Sequence, residues 1–140
     1  MMTPEQVRLV RDSYPAIAEL SEPIAALFYG RLFELAPEVR PMFKQEIAIQ
    51  GRKLMDMLAA LVGHLDRFAD LEPMVKAMGQ RHAGYGVKLQ HYEVVSSALI
   101  WAIGFALHDE LSPDLKAAWR ALIQMVSAVM MEGASELLPR

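Results

Sequence analysis

The chain contains no cysteine. That excludes a disulfide framework, a thiolate nucleophile and an iron–sulfur cluster, and it fits a reducing compartment such as the cytoplasm. Long hydrophobic runs are also missing. No uninterrupted apolar stretch approaches the ~20 residues of a membrane span, and Met1 to Arg11 lacks the apolar block of a signal peptide. Charge of one sign is nowhere concentrated. The net charge is −3, with both signs scattered along the chain, so neither a nucleic-acid-binding face nor a polybasic membrane anchor is expected. There is no Gly-x-Gly-x-x-Gly phosphate-binding turn, no internal repeat and no low-complexity tract. Asn-Gly and Asp-Gly hairpin turns do not occur, and strand-like alternation is nearly absent.

What is present reads as helix. With 140 residues, 54% hydrophobic and 22% charged, the chain suits one globular domain over residues 1–140 with a substantial core. Thr3 is placed to cap a first helix, with Pro4 at its first position and Gln6 completing a capping box. That helix carries Val7, Val10, Tyr14 and Ile17 inward, and Pro15 should bend it or end it early. Ser21-Glu22-Pro23 opens a second helix with Ile24, Leu27, Phe28, Leu32 and Leu35 on its apolar face, closed by Ala36-Pro37. A short turn from Glu38 to Phe43 follows. The next helix is expected from about Ala48 to His64, with Leu54, Met57, Leu58, Leu61 and Val62 inward. Another runs from Asp70 to His82, with Met74, Met78 and His82 on one stripe, and Gly84 and Gly86 stop it. Gln90 to Leu107 makes a long helix with Tyr92, Val95, Leu99 and Ile103 inward. Ser112-Pro113 starts the last one, which buries Trp119, Leu122, Ile123, Val126, Met130 and Leu137. The fold class is all-α, with six to eight helices. Short helices and proline-marked corners favour steep crossings around a filled centre over a coiled coil or a simple four-helix bundle.

The candidate chemistry begins with His82, which lies on an apolar stripe one turn before two glycines. A buried neutral imidazole is a good metal ligand. Taken alone, the position more often describes a satisfied core histidine, or a half-exposed one at a helix end. Tyr29 projects beside Phe28 and Leu32, and Gln50 and Leu54 lie one turn apart on a shared helix face. A buried phenol and a buried amide require hydrogen-bond partners. Spacing alone does not separate a bound ligand from a backbone carbonyl for Tyr29, or from water for Gln50. His64 is 14 residues beyond Gln50, roughly 21 Å along a helix axis, and cannot share a site with it. His91 and His108 read most simply as surface residues near helix ends, with a place near the functional side as the weaker reading for His91, which adjoins Tyr92. The methionines Met42, Met55, Met57, Met74 and Met78 read as core packing, although a thioether can also ligate iron.

The run Phe28-Tyr29-Gly30-Arg31-Leu32-Phe33, followed by Pro37-Glu38-Val39-Arg40-Pro41-Met42-Phe43, resembles the second helix and corner of bacterial globins. Gln50 through Leu58, Gln80-Arg81-His82, Tyr92-Glu93-Val94-Val95 and Ala118-Trp119 follow in the same order. The set is most similar to single-domain haemoglobins and to the globin module of flavohaemoglobins. The resemblance implies a globin fold, with the helices packed around one haem b. Without cysteine that haem is held non-covalently. It implies His82 as the proximal iron ligand, with its second ring nitrogen donating to a carbonyl or carboxylate. It makes Phe43 the residue stacked on the porphyrin and Tyr29 and Gln50 the distal hydrogen-bonding pair. Leu54 becomes the apolar wall over the iron, Val87 and Val95 haem-packing positions, Tyr92 a proximal-side residue and Lys53 a haem-propionate partner. With Gln rather than His at position 50, bis-histidyl ligation is not expected.

The resemblance departs in two places. The chain ends at Arg140 without flavin- or nicotinamide-binding domains, so redox turnover would borrow electrons from a separate reductase. The glutamate that couples to the proximal Tyr and His in flavohaemoglobins falls on Ala134. Glu132 and Glu136 each point ~200° away from that direction on a helix. The implied function is reversible binding of oxygen, and of nitric oxide and carbon monoxide, for storage, delivery or scavenging. Two donors over the ligand, each worth about 0.5–1.5 kcal/mol, imply high oxygen affinity and slow release. The competing expectations are a nitric oxide dioxygenase with an external reductase, a gas or redox sensor acting through a separate partner, and a haem-free helical module. A homodimer is one expected assembly.

Overall fold

In a computed structural model, residues 2–107 and 111–136 are described, and Leu137 and His108 lie outside them. Helix α1 spans Pro4–Glu19 and α2 spans Ser21–Leu35. A short 3-10 corner, Pro37–Met42, leads to α3, Ile47–Gly63. A second 3-10 segment, Leu65–Leu71, leads to α4, Glu72–Gly84. The chain then enters α5, Leu89–Ala106, and α6, Pro113–Ser135. There is no strand among the described residues.

The local signals explain most of these boundaries. Thr3 and Gln6 form the expected capping box, with Thr3 Oγ1 accepting from the Gln6 amide at 3.1 Å. Ser112 caps α6 by accepting from the Leu115 amide at 3.2 Å. Gly86 adopts φ 98°, the left-handed conformation that lets the chain leave α4.

Other expectations needed correction. Of the two outcomes expected at Pro15, a bend or an early end, the early end does not occur, since α1 continues to Glu19. Pro15 and Arg11, whose carbonyl loses its helical donor, both face water, so the missing bond is replaced by solvent while Ile17 beyond it is fully buried. Leu35 and Met74 are 45% and 38% exposed. Each lies at an end of its apolar stripe, where the helix has already left its neighbour. The fourth helix begins at Glu72, after the 3-10 segment, because Pro73 suits a first turn.

The core is built on the α4–α6 and α2–α5 crossings, with α1 packed on α6 and α3 on α2. Val10, Ile17, Ile24, Val75, Ile103, Trp119 and Leu122 are fully buried. Each large apolar side chain buried in this way contributes about 1.5–3 kcal/mol. Trp119 also donates its indole N–H to Ser13 Oγ at 2.9 Å, joining α6 to α1 without leaving a buried donor unpaired.

Candidate functional site

Between α2, α3, α4, α5 and α6 the helices leave a cavity of about 640 Å³. Tyr29, Phe43, Gln50, Lys53, Leu54, His82, Val87, Tyr92 and Val95, the residues singled out by the sequence, all line it. Most of the remaining wall is apolar and includes Phe28, Leu58, Leu61, Leu99 and Val126. Met42, Met57 and Met78 also face it, whereas Met55 is buried elsewhere in the core.

His82 is the group of greatest chemical interest. It sits in the last turn of α4, partly buried, and its Nδ1 lies 2.7 Å from the Met78 carbonyl oxygen. A carbonyl can only accept, so Nδ1 carries the proton. In the neutral ring, Nε2 then keeps its lone pair. Burial is the main influence on its titration and holds the imidazole below its ordinary pKa. The Met78 hydrogen bond opposes that shift, and the Arg81 charge adds to it. No cluster of three or more His, Cys, Asp or Glu residues that could hold a metal occurs among the described residues. His82 is therefore not part of a multi-ligand metal cluster.

Tyr29 and Phe43 form one aromatic corner. Their rings are 5.3 Å apart and edge-on, and Phe33 lies 5.4 Å from Phe43. Tyr29 is 5% exposed, and burial pushes its phenol up to about 12. It is therefore a neutral donor at every ordinary pH. Gln50, half-buried one turn before Leu54, donates from Nε2 to Gln45 Oε1 at 3.2 Å. Lys53 is exposed at the rim and donates to the same oxygen at 2.6 Å. Tyr92 Oη is buried without a hydrogen-bond partner among the described residues, and burial raises its pKa. Ala134 is buried on α6. Its neighbours Glu132 and Glu136 face outward, and each meets Lys76 at 3.1 Å.

Sequence reasoning missed one residue here and put the wrong reading first for another. His91 was expected at the surface, but it is 5% exposed and lines the cavity. Its Nδ1 accepts the Lys88 amide at 3.0 Å, and Nε2 lies 3.7 Å from Glu38 Oε1. Glu38 of the Pro37–Met42 corner meets it at the start of α5, a contact that local sequence does not announce. Gln45, in the connection before α3, gave no signal at all.

A profile of the globin family matches residues 26–130. The chain belongs to the globin family. It is 34% identical over 121 residues to a flavohemoprotein of Rhodopirellula baltica, covering 84% of this chain and 30% of that protein. It is 27% identical over 139 residues to a neuroglobin of Chaenocephalus aceratus, covering 89% of this chain and 87% of the other. Thus this globin spans about a third or less of the flavohemoproteins it matches. Among solved structures, an engineered carbene transferase from Rhodothermus marinus superposes with a TM-score of 0.89 at 28% identity, covering 98% of this chain and 96% of that one. A bacterial globin from Campylobacter jejuni gives 0.81 at 25% identity, covering 96% and 98%. The fold is the globin fold, and family membership implies haem binding. No described helix is long and apolar enough to cross a membrane.

Proposed function

We propose that residues 1–140 act as one unit that binds haem b non-covalently, with His82 as the iron ligand, and reversibly takes up oxygen, nitric oxide or carbon monoxide. The observation that carries this reading is the His82–Met78 hydrogen bond at 2.7 Å. It protonates Nδ1 and leaves Nε2 as the coordinating atom at the wall of an apolar cavity. A single imidazole suits a metal whose other ligands arrive with it in a macrocycle. The apolar lining, the Phe43 ring and the cations Lys53 and Arg81 at the cavity suit a flat hydrophobic group with acidic edges.

Bound there, haem supplies a ferrous iron able to hold a diatomic gas. The chain supplies the rest. Tyr29 offers a neutral O–H and Gln50 an amide N–H to a ligand that gathers negative charge. Leu54 limits the room, and the apolar walls exclude water. Both donors together support tight oxygen binding and slow release.

The test is an absorption spectrum of the purified protein in ferric, reduced and carbon monoxide-treated forms, before and after adding hemin. A strong Soret band with a five-coordinate ferrous form is expected. Absence of hemin uptake would remove the proposal.

A second reading is a nitric oxide dioxygenase working with a separate reductase in the cytoplasm. It is favoured by the flavohemoprotein relatives and by the Rhodothermus marinus protein, which is described as a candidate nitric oxide dioxygenase. Repeated nitric oxide consumption with a physiological reductase would place it first.

A further inference from the structure

Gln45 Oε1 is shared by two donors on the first turns of α3, with Lys53 Nζ at 2.6 Å and Gln50 Nε2 at 3.2 Å. The chemistry of the lysine settles the polarity of the chain. An ammonium can only donate, so the Gln45 atom it touches is the carbonyl oxygen. That oxygen can only accept, so the Gln50 atom facing it is the amide nitrogen. A freely rotating glutamine side chain could present either its oxygen or its nitrogen to the cavity. This one has its NH2 group tethered, with one N–H spent on Gln45 and the second left over.

We propose that Gln45 is the positioning residue of the cavity amide: its carbonyl oxygen, held by Lys53, fixes the direction in which Gln50 presents its remaining N–H to the bound gas. The inference rests on the haem-binding reading above. It makes the rim cation a remote control of ligand retention, because the charge on Lys53 polarises the Gln45 amide and strengthens its grip on Gln50. Gln45 is used only as an acceptor, which gives the idea a sharp chemical signature. A carboxylate at position 45 can do the same work, whereas an apolar side chain of similar size cannot. Gln45 is exposed in the irregular connection before α3, so substitutions there leave the helical core intact.

The experiment uses the haem-loaded full chain. The oxygen dissociation rate constant and the C–O stretching band of the ferrous carbon monoxide complex are measured for wild type, Gln45→Leu, Gln45→Glu, Gln50→Leu and the Gln45→Leu/Gln50→Leu double variant. Gln45→Leu is expected to release oxygen about three- to tenfold faster and to broaden or split the C–O band as the Gln50 amide rotates. Gln45→Glu is expected to stay near wild type in both readouts. The double variant is expected to release oxygen no faster than Gln50→Leu alone. A wild-type rate for Gln45→Leu overturns the proposal, as does a Gln45→Glu protein that behaves like Gln45→Leu, or a factor that persists undiminished in the Gln50→Leu background. If Gln50→Leu itself leaves oxygen release and the C–O band unchanged, the distal role of Gln50 falls, and this inference with it. Failure of haem uptake by the wild type would instead refute the underlying reading.

Discussion

Gly79 of α4 lies directly against the backbone of Met130 in α6: a β-carbon at position 79 would come within 2.0 Å of the Met130 carbonyl oxygen. The same crossing is locked a second time, where a β-carbon on Gly133 would lie 2.3 Å from the Lys76 carbonyl oxygen. Neither obstacle is the far end of a flexible side chain. Replacing Gly79 with Ala must therefore push the two helices apart. Since His82 follows one turn later on the same helix, the imidazole moves with it. The expected cost is about 1–3 kcal/mol of stability, read as a lower Tm of the apoprotein, together with faster loss of hemin to an excess of a competing apoprotein. A wild-type Tm in Gly79→Ala would show that the crossing is looser than its geometry states.

His82→Ala removes the proposed iron ligand and leaves a hole of matching shape. The variant is expected to lose its five-coordinate ferrous spectrum and to bind hemin at least about tenfold more weakly, the equivalent of one lost bond of roughly 1.4 kcal/mol or more. Free imidazole should restore much of the spectrum. Retention of the wild-type spectrum without added imidazole would show that another residue holds the iron.

Two buried groups predict opposite pH limits for the apoprotein. Burial lowers the His82 pKa from 6.5. In the window below 6.5 and above the folded value, the unfolded chain binds more protons than the folded one, and stability falls as pH drops through it. His82→Leu should flatten that acid limb. Burial raises the Tyr29 pKa from 10.0 to about 12. Between these values the unfolded phenol ionises while the folded one does not, so stability falls as pH rises, and Tyr29→Phe should flatten the alkaline limb. Urea unfolding across the pH range checks both, and identical slopes in variant and wild type would contradict the assignment. In the haem-loaded protein, Tyr29→Phe should also quicken oxygen release by about two- to tenfold.

The buried hydroxyl of Tyr92 has no partner among the described residues, and the resemblance to flavohaemoglobins leads to the expectation of a glutamate at the position held by Ala134. Ala134→Glu should raise the Fe–His stretching frequency of the ferrous protein, because a carboxylate delivered through Tyr92 would make the His82 imidazole more basic. The same variant is expected to be less stable, since Ala134 is only 7% exposed and a charge is costly there. An unchanged stretching frequency in the folded variant would mean that position 134 does not communicate with the proximal side.

How far these features could be read in advance varied with their range. The α1 cap was legible because Thr3, Pro4 and Gln6 interact within one turn. His82 was legible because the helical period places it on an apolar stripe, whereas Phe43, Gln50, Lys53 and Val87 were singled out by the resemblance to bacterial globins; all of them line the cavity. Leu35 and Met74 were misplaced because a period gives the direction of a stripe without giving the point at which the neighbouring helix ends. His91 was misplaced because its contact is with Glu38, more than fifty residues earlier in the chain. Gln45 was invisible because an isolated glutamine in a connection carries no periodic signal. Its importance arises only from two donors on the next helix meeting at one oxygen.

The two sides of the cavity are built from different materials. Behind His82, α4 is fastened to α6 by main chain pressed on main chain at Gly79 and Gly133. Opposite, the corner that carries Phe43 rests on ring edges, and Gln45 holds its neighbours through side-chain atoms alone. Side-chain contacts can break singly, whereas a backbone crossing yields only when whole helices separate. The molecule thus resembles a jaw with one fixed half. Breathing motions are expected to pass first through residues 37–45, and amide protons near the α4–α6 seam are expected to exchange with solvent last.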